Sequence, residues 1–160
     1  MRAFSPHLSR LAAALAVCAA LVAGAPCLAA EPHALITSYV DHFNSRDLDA
    51  LLALAHEDVE WLSVNGAEVT VETRGKEALR ASLTSYFASC PSCRSTVEVY
   101  QSVGPYVSTV EHAEWKTGAG ETKRQSSLAV YELADGLVRR VWYYPAVAPE
   151  PAEPEPASPK

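Results

Sequence analysis

Cysteine, glycine and positive charge are all scarce in this chain. Its 160 residues include 4 cysteines and 7 glycines, and 13 lysines and arginines face 19 acidic residues, for a net charge of -6. No glycine-rich phosphate loop occurs, so we expect no nucleotide cofactor. No basic patch interleaved with aromatic residues occurs either, which argues against a nucleic-acid partner. His42, His56 and His112 are scattered without ligand spacing, and we therefore predict no metal site.

The first thirty residues have the pattern of an export signal. Arg2 and Arg10 precede an apolar run from Leu11 to Ala25, and small residues follow at Ala29 and Ala30. We expect residues 1–30 to be a signal peptide and the mature chain to be periplasmic or secreted, with no stable membrane span after cleavage. A single membrane anchor is one alternative, although the run is shorter than the ~20 residues that span a bilayer. A lipid anchor on Cys18 or Cys27 is another.

The last fifteen residues also differ from the middle of the chain. Residues 146–160 are rich in proline, alanine and glutamate and have no apolar period. Such a composition predicts a disordered or extended tail. One folded domain is therefore expected over residues 31–145, which is long enough for a modest core.

Periodicity between these segments predicts a mixed fold. Apolar residues at helical spacing indicate helices over about 32–44, 47–55 and 76–89. Period-two patterns indicate strands over 59–64, 69–73, 95–103, 106–117, 121–133 and 137–144. Asn65-Gly66 and Asp135-Gly136 are typical hairpin turns. Short turns make sequential strands neighbours, so the last three strands should form an antiparallel meander.

Four segments, read in this order, resemble one superfamily. They are Tyr39 to Asn44, Arg46 to Asp58, Arg74 to Leu79 and Asp135 to Arg139. The chain resembles the SnoaL-like and ketosteroid-isomerase-like branch of the nuclear transport factor 2 superfamily over about residues 34–144. The resemblance implies an α+β cone-shaped fold in which three N-terminal helices pack on a curved, mainly antiparallel sheet. It also implies a pocket and a homodimer. Members include isomerases, cyclases, dehydratases, hydrolases and simple binding proteins, so fold alone does not decide function.

The best-characterised reaction of this superfamily is disfavoured here. Ketosteroid isomerisation needs a helix tyrosine, a carboxylate base on the first strand and a protonated acid on a later strand. Tyr39 matches the tyrosine, whereas Ser63 stands at the base position and no acid stands near Leu128 to Val130. Ser63 cannot abstract a carbon-bound proton. Tyr39 can also be interpreted as an ordinary core tyrosine.

The strand over residues 106–117 offers two faces. Val107, Glu111 and Trp115 fall on the more apolar one, which we expect to face the pocket. His112 and Glu114 fall on the other. In the alternative register His112 and Glu114 face inward as an acid–base or metal-binding pair, because histidine titrates near neutral pH. A solvated pair on the outer face, or at a dimer contact, is the other interpretation.

Aromatic residues on several strands predict a lining for a small apolar or aromatic ligand. The candidate ligand-binding residues are Tyr39, Trp61, Ser63, Trp115, Tyr131 and Tyr143. Core and dimer packing is the alternative explanation for most of them.

Cys90 and Cys93 are the two cysteines that remain after signal cleavage. Two thiols this close are expected to form a disulfide in an oxidising compartment. A redox-active pair is the alternative, since this spacing can depress a thiol pKa. No thioredoxin-like pattern surrounds the pair, which favours a structural disulfide.

Three functions therefore stay open at this point. The first is an exported binding protein for a small apolar or aromatic molecule. The second is a lyase, isomerase or hydrolase that uses His112 with Glu111 or Glu114, assisted by Tyr39. The third is a homodimeric interaction module. The orientation of the strand over 106–117 separates the first two.

Overall fold

The computed structural model describes residues 32–148, which form three helices and six strands. The helices are α1 (Pro32–Ser45), α2 (Leu48–Ala53) and α3 (Lys76–Ser89). The strands are β1 (Ala55–Asn65), β2 (Glu68–Arg74), β3 (Arg94–Val103), β4 (Tyr106–Lys116), β5 (Thr122–Ala134) and β6 (Leu137–Tyr143). The predicted α+β class and the order of its elements are confirmed.

The six strands form one sheet in the order β2-β1-β6-β5-β4-β3. All neighbouring pairs are antiparallel except β1 and β6, which run parallel. The predicted meander is present, and it gains β3 as a fourth strand. The helices cover one face of the curved sheet, as expected for the cone-shaped fold.

The core lies between the helices and this covered face. Leu35, Ile36 and Tyr39 project from α1, and Leu79 and Leu83 project from α3. Their spacing of three and four residues aligns them along one side of each helix. They pack on inward-facing strand residues, which are Val59, Val107, Ala129, Tyr131, Val138 and Val141.

The connection from α1 to α2 is fixed by local hydrogen bonds. Arg46 adopts a left-handed backbone conformation with φ 64°. The Asp47 carboxylate then accepts a hydrogen bond from the Ala50 amide at 3.0 Å and caps α2, as predicted. Asn44 exchanges two hydrogen bonds with the backbone of Ser95, at 2.7 and 2.8 Å, and so ties the end of α1 to β3.

Three sequence-based boundaries need correction. The segment Ala55 to Asp58, expected to be helix and loop, belongs to β1 because Ala55 pairs with Val138 of β6. Strand β3 begins at Arg94. Val147, predicted to lie in the disordered tail, exchanges backbone hydrogen bonds of 2.9 and 2.8 Å with Ser126. The predicted signal peptide over 1–30 and the remainder of the tail lie outside the described residues.

The predicted disulfide between Cys90 and Cys93 is present, with the two Cα atoms 5.4 Å apart. It closes the turn between α3 and β3. Arg46 Nη2 donates to the carbonyl oxygens of Pro91 and Cys93, each at 3.0 Å. The turn is therefore held by the bridge and by an arginine from the α1–α2 connection. Within residues 32–148, no helix is long and apolar enough to cross a membrane.

Candidate functional site

A cavity of about 240 Å³ lies between α1, α3 and the covered face of the sheet. Most of its wall is aromatic or aliphatic, and one carboxyl group reaches into it. The lining residues are Tyr39, Val40, Phe43, Trp61, Ser82, Leu83, Tyr86, Arg94, Ser95, Glu111, Ala113, Tyr131 and Tyr143.

Glu111 reaches the cavity because of the alternation along β4. Val107 and Thr109 are fully buried on the same strand face, and Ala113 lines the cavity beyond Glu111. Thr109 satisfies its hydroxyl with the carbonyl oxygen of Ala129 at 3.3 Å. Glu111 is therefore the one ionisable residue on the inward side of β4. This confirms the prediction that the more apolar face of the strand faces the pocket.

Three hydroxyl groups surround the Glu111 carboxyl group. The Tyr131 hydroxyl donates a short hydrogen bond to Oε1, and Tyr143 is a second hydrogen-bond partner. The Ser95 hydroxyl lies 3.5 Å from Oε2. Burial raises the pKa of Glu111 above its usual range, and these hydroxyl donors oppose that rise only in part. The carboxyl group thus holds a proton at a pH where ordinary glutamates have lost theirs.

The surrounding phenols remain neutral. Burial raises the pKa of Tyr131 and of Tyr143 well above the ordinary value, and the nearby Glu111 raises both further. Burial also raises the pKa of Tyr39. Neutral phenols keep their O–H groups, so each can serve as a hydrogen-bond donor over the whole physiological pH range.

Tyr39 has a hydroxyl proton to offer a ligand. Its oxygen accepts a hydrogen bond from Trp61 Nε1 at 3.2 Å. Among the described residues no acceptor for its own proton is found. The Tyr39 ring is held edge-on against Tyr131, with centroids 6.4 Å apart. Tyr39 is thus a core residue and a cavity wall at once.

The pairing of His112 with Glu111 proposed from the sequence is wrong. The two residues are adjacent in β4 and therefore point to opposite faces of the sheet. His112 Nδ1 lies 2.8 Å from the Ser126 hydroxyl on the outer face, and Nε2 lies 3.5 Å from Glu98 Oε1.

Glu114 is not part of the cavity either. It lies on the outer face with His112, and its Oε2 accepts hydrogen bonds from Arg124 at 2.7 Å. The His112–Glu114 alternative therefore fails as a description of the cavity, because both side chains belong to the opposite side of the sheet.

Two of the candidate ligand-binding residues do not line the cavity. Ser63 donates a 2.6 Å hydrogen bond to Glu72 Oε1 on the neighbouring strand. Trp115 shares a strand face with Glu111 but lies beyond Ala113, outside the lining. The other four candidates are part of the wall: Tyr39, Trp61, Tyr131 and Tyr143. The ring centroids of Trp61 and Tyr143 are 5.6 Å apart.

Sequence reasoning missed several wall residues. Phe43 and Tyr86 lie on the apolar stripes of α1 and α3, so their periodicity was a usable signal. Ser82, Arg94 and Ser95 carried no such signal. Ser95 reaches Glu111 because β3 pairs with β4 in a register that places Ser95 opposite Ala113.

A second groove, of about 340 Å³, lies around His112 and shares Arg94, Ser95 and Ala113 with the lining of the inner cavity. Its charged side chains are exposed or already paired, as Arg124 is with Glu114. The smaller inner cavity is the better candidate site, because it holds a carboxyl group away from bulk water with a displaced pKa. Within residues 32–148, no three histidine, cysteine or acidic side chains converge as metal ligands.

The sequence profile of the SnoaL-like domain family matches residues 36–141. The chain belongs to the SnoaL-like domain family. A search of curated proteins gave no significant match.

Several solved structures share the fold. IdmH of Streptomyces antibioticus, assigned as a polyketide cyclase, is 21% identical with a TM-score of 0.60, over 71% of this chain and 90% of that one. TerC, crystallised with polyporic acid, is 18% identical with a TM-score of 0.58, over 72% and 88%. Rv0760c of Mycobacterium tuberculosis, in complex with estradiol-17β-hemisuccinate, is 18% identical with a TM-score of 0.57, over 68% and 88%.

Proposed function

We propose that this protein binds a small, largely apolar or aromatic molecule in the inner cavity and that Glu111 exchanges a proton with it. The observation that carries the proposal is a carboxyl group with a raised pKa that lies among three neutral phenols inside a largely aromatic and aliphatic cavity. Perturbed pKa values cluster at catalytic acids and bases, because these groups need a pKa matched to their task. The neighbours crystallised with polyporic acid and with an estradiol ester are compatible with a flat ligand.

The geometry supports one type of reaction best, the enolisation of a ketone. Ionised Glu111 takes a proton from the carbon next to the carbonyl group, and the electron pair of that C–H bond moves to the carbonyl oxygen. The free O–H of Tyr39 donates a hydrogen bond to the developing negative charge. Glu111 then returns the proton to the same or another carbon atom. Isomerases, cyclases and lyases all use such a step.

Binding without chemistry is the second candidate. The aromatic wall favours it as well, because apolar burial alone can hold a ligand in such a cavity. In that case neutral Glu111 donates a hydrogen bond to a ligand oxygen and takes no proton from carbon. The two candidates differ in whether the protein accelerates exchange of a carbon-bound hydrogen.

Two further properties belong to this proposal. We infer that the chain is exported, on the pattern of residues 1–30; a mature protein that still begins at Met1 would contradict this. We also infer that it is a homodimer through the outer face of the sheet, where Tyr106, Leu128 and Tyr144 are exposed. Sedimentation as a monomer at micromolar concentration would contradict the dimer.

Deuterium exchange into 2-tetralone tests the proton transfer. This bicyclic ketone is small and flat, and proton NMR in deuterium oxide follows the loss of its acidic C–H signal. We expect the wild-type protein to accelerate exchange above the buffer rate, and 2-naphthol, which resembles the enol, to inhibit it. Tight binding of 2-naphthol without acceleration would leave only the binding function.

Ser82 provides a steric test of the same cavity. It is an exposed residue of α3 that lines the cavity, so Ser82→Trp should fill the space without breaking the core. We expect this variant to lose both exchange and 2-naphthol binding. Ala81→Trp, on the same helix and outside the lining, is the matched control and should retain both. If Ser82→Trp exchanged as fast as Ala81→Trp, the reaction would take place outside this cavity.

A further inference from the structure

Two arginines differ from the other described ones in their partners. Seven arginines fall within residues 32–148. Five of them form ion pairs with carboxylates, and these are Arg74, Arg80, Arg124, Arg139 and Arg140. Arg46 and Arg94 have no carboxylate partner among the described residues, although the chain carries an excess of acidic groups. Both use their guanidinium groups on backbone carbonyl oxygens instead.

The two guanidinium groups converge on the same place, the disulfide turn. Arg94 Nη1 donates to the carbonyl oxygen of Cys93 at 2.7 Å and lies 3.5 Å from that of Pro91. Arg46 Nη2 donates to the same two oxygens, each at 3.0 Å. Two positive charges therefore share two acceptors. Burial lowers the pKa of Arg46, and the positive charge of Arg94 lowers it further.

This positive cluster is located at the rim of the inner cavity. Arg94 is exposed to solvent and lines both the inner cavity and the second groove. The Arg46 guanidinium lies 4.2 Å from the centre of the Phe87 ring. Phe87 packs at 5.0 Å against Phe43, which lines the cavity. One of these two charges thus belongs to the cavity wall, and the other contacts a ring that packs against that wall.

We propose that the ligand carries an anionic group, of the carboxylate class, and that Arg94 binds this group at the rim while the apolar body lies inside. This inference rests on the proposed cavity and adds a second recognition point to it. Arg94 is the binding residue because it is accessible and lines the cavity. Arg46 adds positive potential and holds the turn from which Arg94 projects. A planar guanidinium suits a carboxylate because it can donate two parallel hydrogen bonds.

A pair of naphthalene dyes that differ by one charged group tests the inference. 8-Anilinonaphthalene-1-sulfonate carries a sulfonate in place of the carboxylate, and N-phenyl-1-naphthylamine is its uncharged parent. Both gain fluorescence when they enter an apolar cavity, so each affinity can be titrated. We expect Arg94→Gln to weaken the sulfonate dye about three- to tenfold and to leave the affinity of the neutral dye unchanged. Arg94→Glu should weaken the sulfonate dye further.

Arg124→Gln is the matched control, since Arg124 lines the second groove together with Arg94 but does not line the inner cavity. It should change neither affinity. Equal loss of both dyes in Arg94→Gln, or no loss of either, would overturn the inference. Equal loss of the sulfonate dye in Arg94→Gln and Arg124→Gln would also overturn it, because the dye would then sense net charge or bind in the second groove that both arginines line. If neither dye binds the wild-type protein, or if Ser82→Trp fails to block both, the proposed cavity itself is contradicted.

Discussion

Glu111→Gln is expected to lower the exchange of 2-tetralone about 100-fold or more, because a positioned acid–base group contributes on that order. The amide has nearly the same shape and still accepts a hydrogen bond from Tyr131. It cannot take up a proton at neutral pH. The rate of deuterium incorporation, measured at equal concentrations of folded protein, gives the effect. Binding of 2-naphthol should survive, since the cavity wall is unchanged.

Glu114→Gln is the matched control for this experiment. It removes a carboxylate from the same strand, but from the outer face where Glu114 is paired with Arg124. We expect wild-type exchange from it. If Glu111→Gln exchanged as fast as Glu114→Gln, Glu111 would not be the acid–base group.

Stability separates this loss from misfolding. The folded-state pKa of Glu111 lies above its unfolded value, so the folded state binds more protons between the two. The stability of the wild-type protein therefore falls as the pH rises through that window. Glu111→Gln removes this penalty. At pH 8 we expect Glu111→Gln to be at least as stable as the wild-type protein. Its loss of exchange activity would then not be caused by misfolding.

Arg140→Met is expected to lower the free energy of unfolding by about 2–3 kcal/mol, because it removes the cation that two poorly exposed carboxylates share. Arg140 Nε donates to Glu60 at 2.7 Å, and Nη1 donates to Glu132 at 2.8 Å. Both glutamate side chains are 13% exposed. Urea unfolding monitored by tryptophan fluorescence measures the loss.

Arg74→Met is the control for that measurement. Arg74 also donates to Glu60 at 2.7 Å, but its side chain is 71% exposed. Its removal should cost less than about 1 kcal/mol. If Arg140→Met and Arg74→Met lost similar amounts of unfolding free energy, the contacts of Arg140 with Glu60 and Glu132 would contribute no more than a surface ion pair.

The effect of Arg140→Met should also depend on pH. The hydrogen bond from Arg140 is the largest cause of the lowered pKa of Glu60. A lowered pKa contributes stability above the unfolded value and loses it as the pH falls through the folded value. The difference in unfolding free energy between the wild-type protein and Arg140→Met should therefore be largest at neutral pH and become smaller in acid. A difference that grew on acidification would contradict this assignment.

Local patterns were sufficient to predict most of the fold. The stripe of Leu35, Ile36 and Tyr39 predicted α1, because the core selects one side of a helix. Asp135-Gly136 predicted the last hairpin, and both residues adopt positive φ, 53° and 74°. The start of β1 could not be predicted in this way. Ala55 extends because it pairs with β6, more than eighty residues later in the chain.

The candidate site was predictable only in part, for the same reason. Alternation along β4 was enough to place Glu111 on the apolar face and His112 on the other. The convergence of Tyr131 and Tyr143 on Glu111 depends on the registers of three strands, which no local pattern reveals. The Arg46–Arg94 cluster depends on the meeting of two distant turns. Each arginine on its own has the appearance of a solvated surface residue.

The carboxyl titration of Glu111 tests the central claim most directly. Carbon-13 NMR of protein labelled at the glutamate side-chain carboxyl groups follows each group as the pH is raised. We expect one resonance that titrates above the ordinary glutamate value of about 4.3–4.5, is absent in Glu111→Gln and shifts when 2-naphthol binds. If every glutamate titrates at or below the ordinary value, the cavity does not raise the pKa of Glu111, and the claim that carries the proposed function is contradicted.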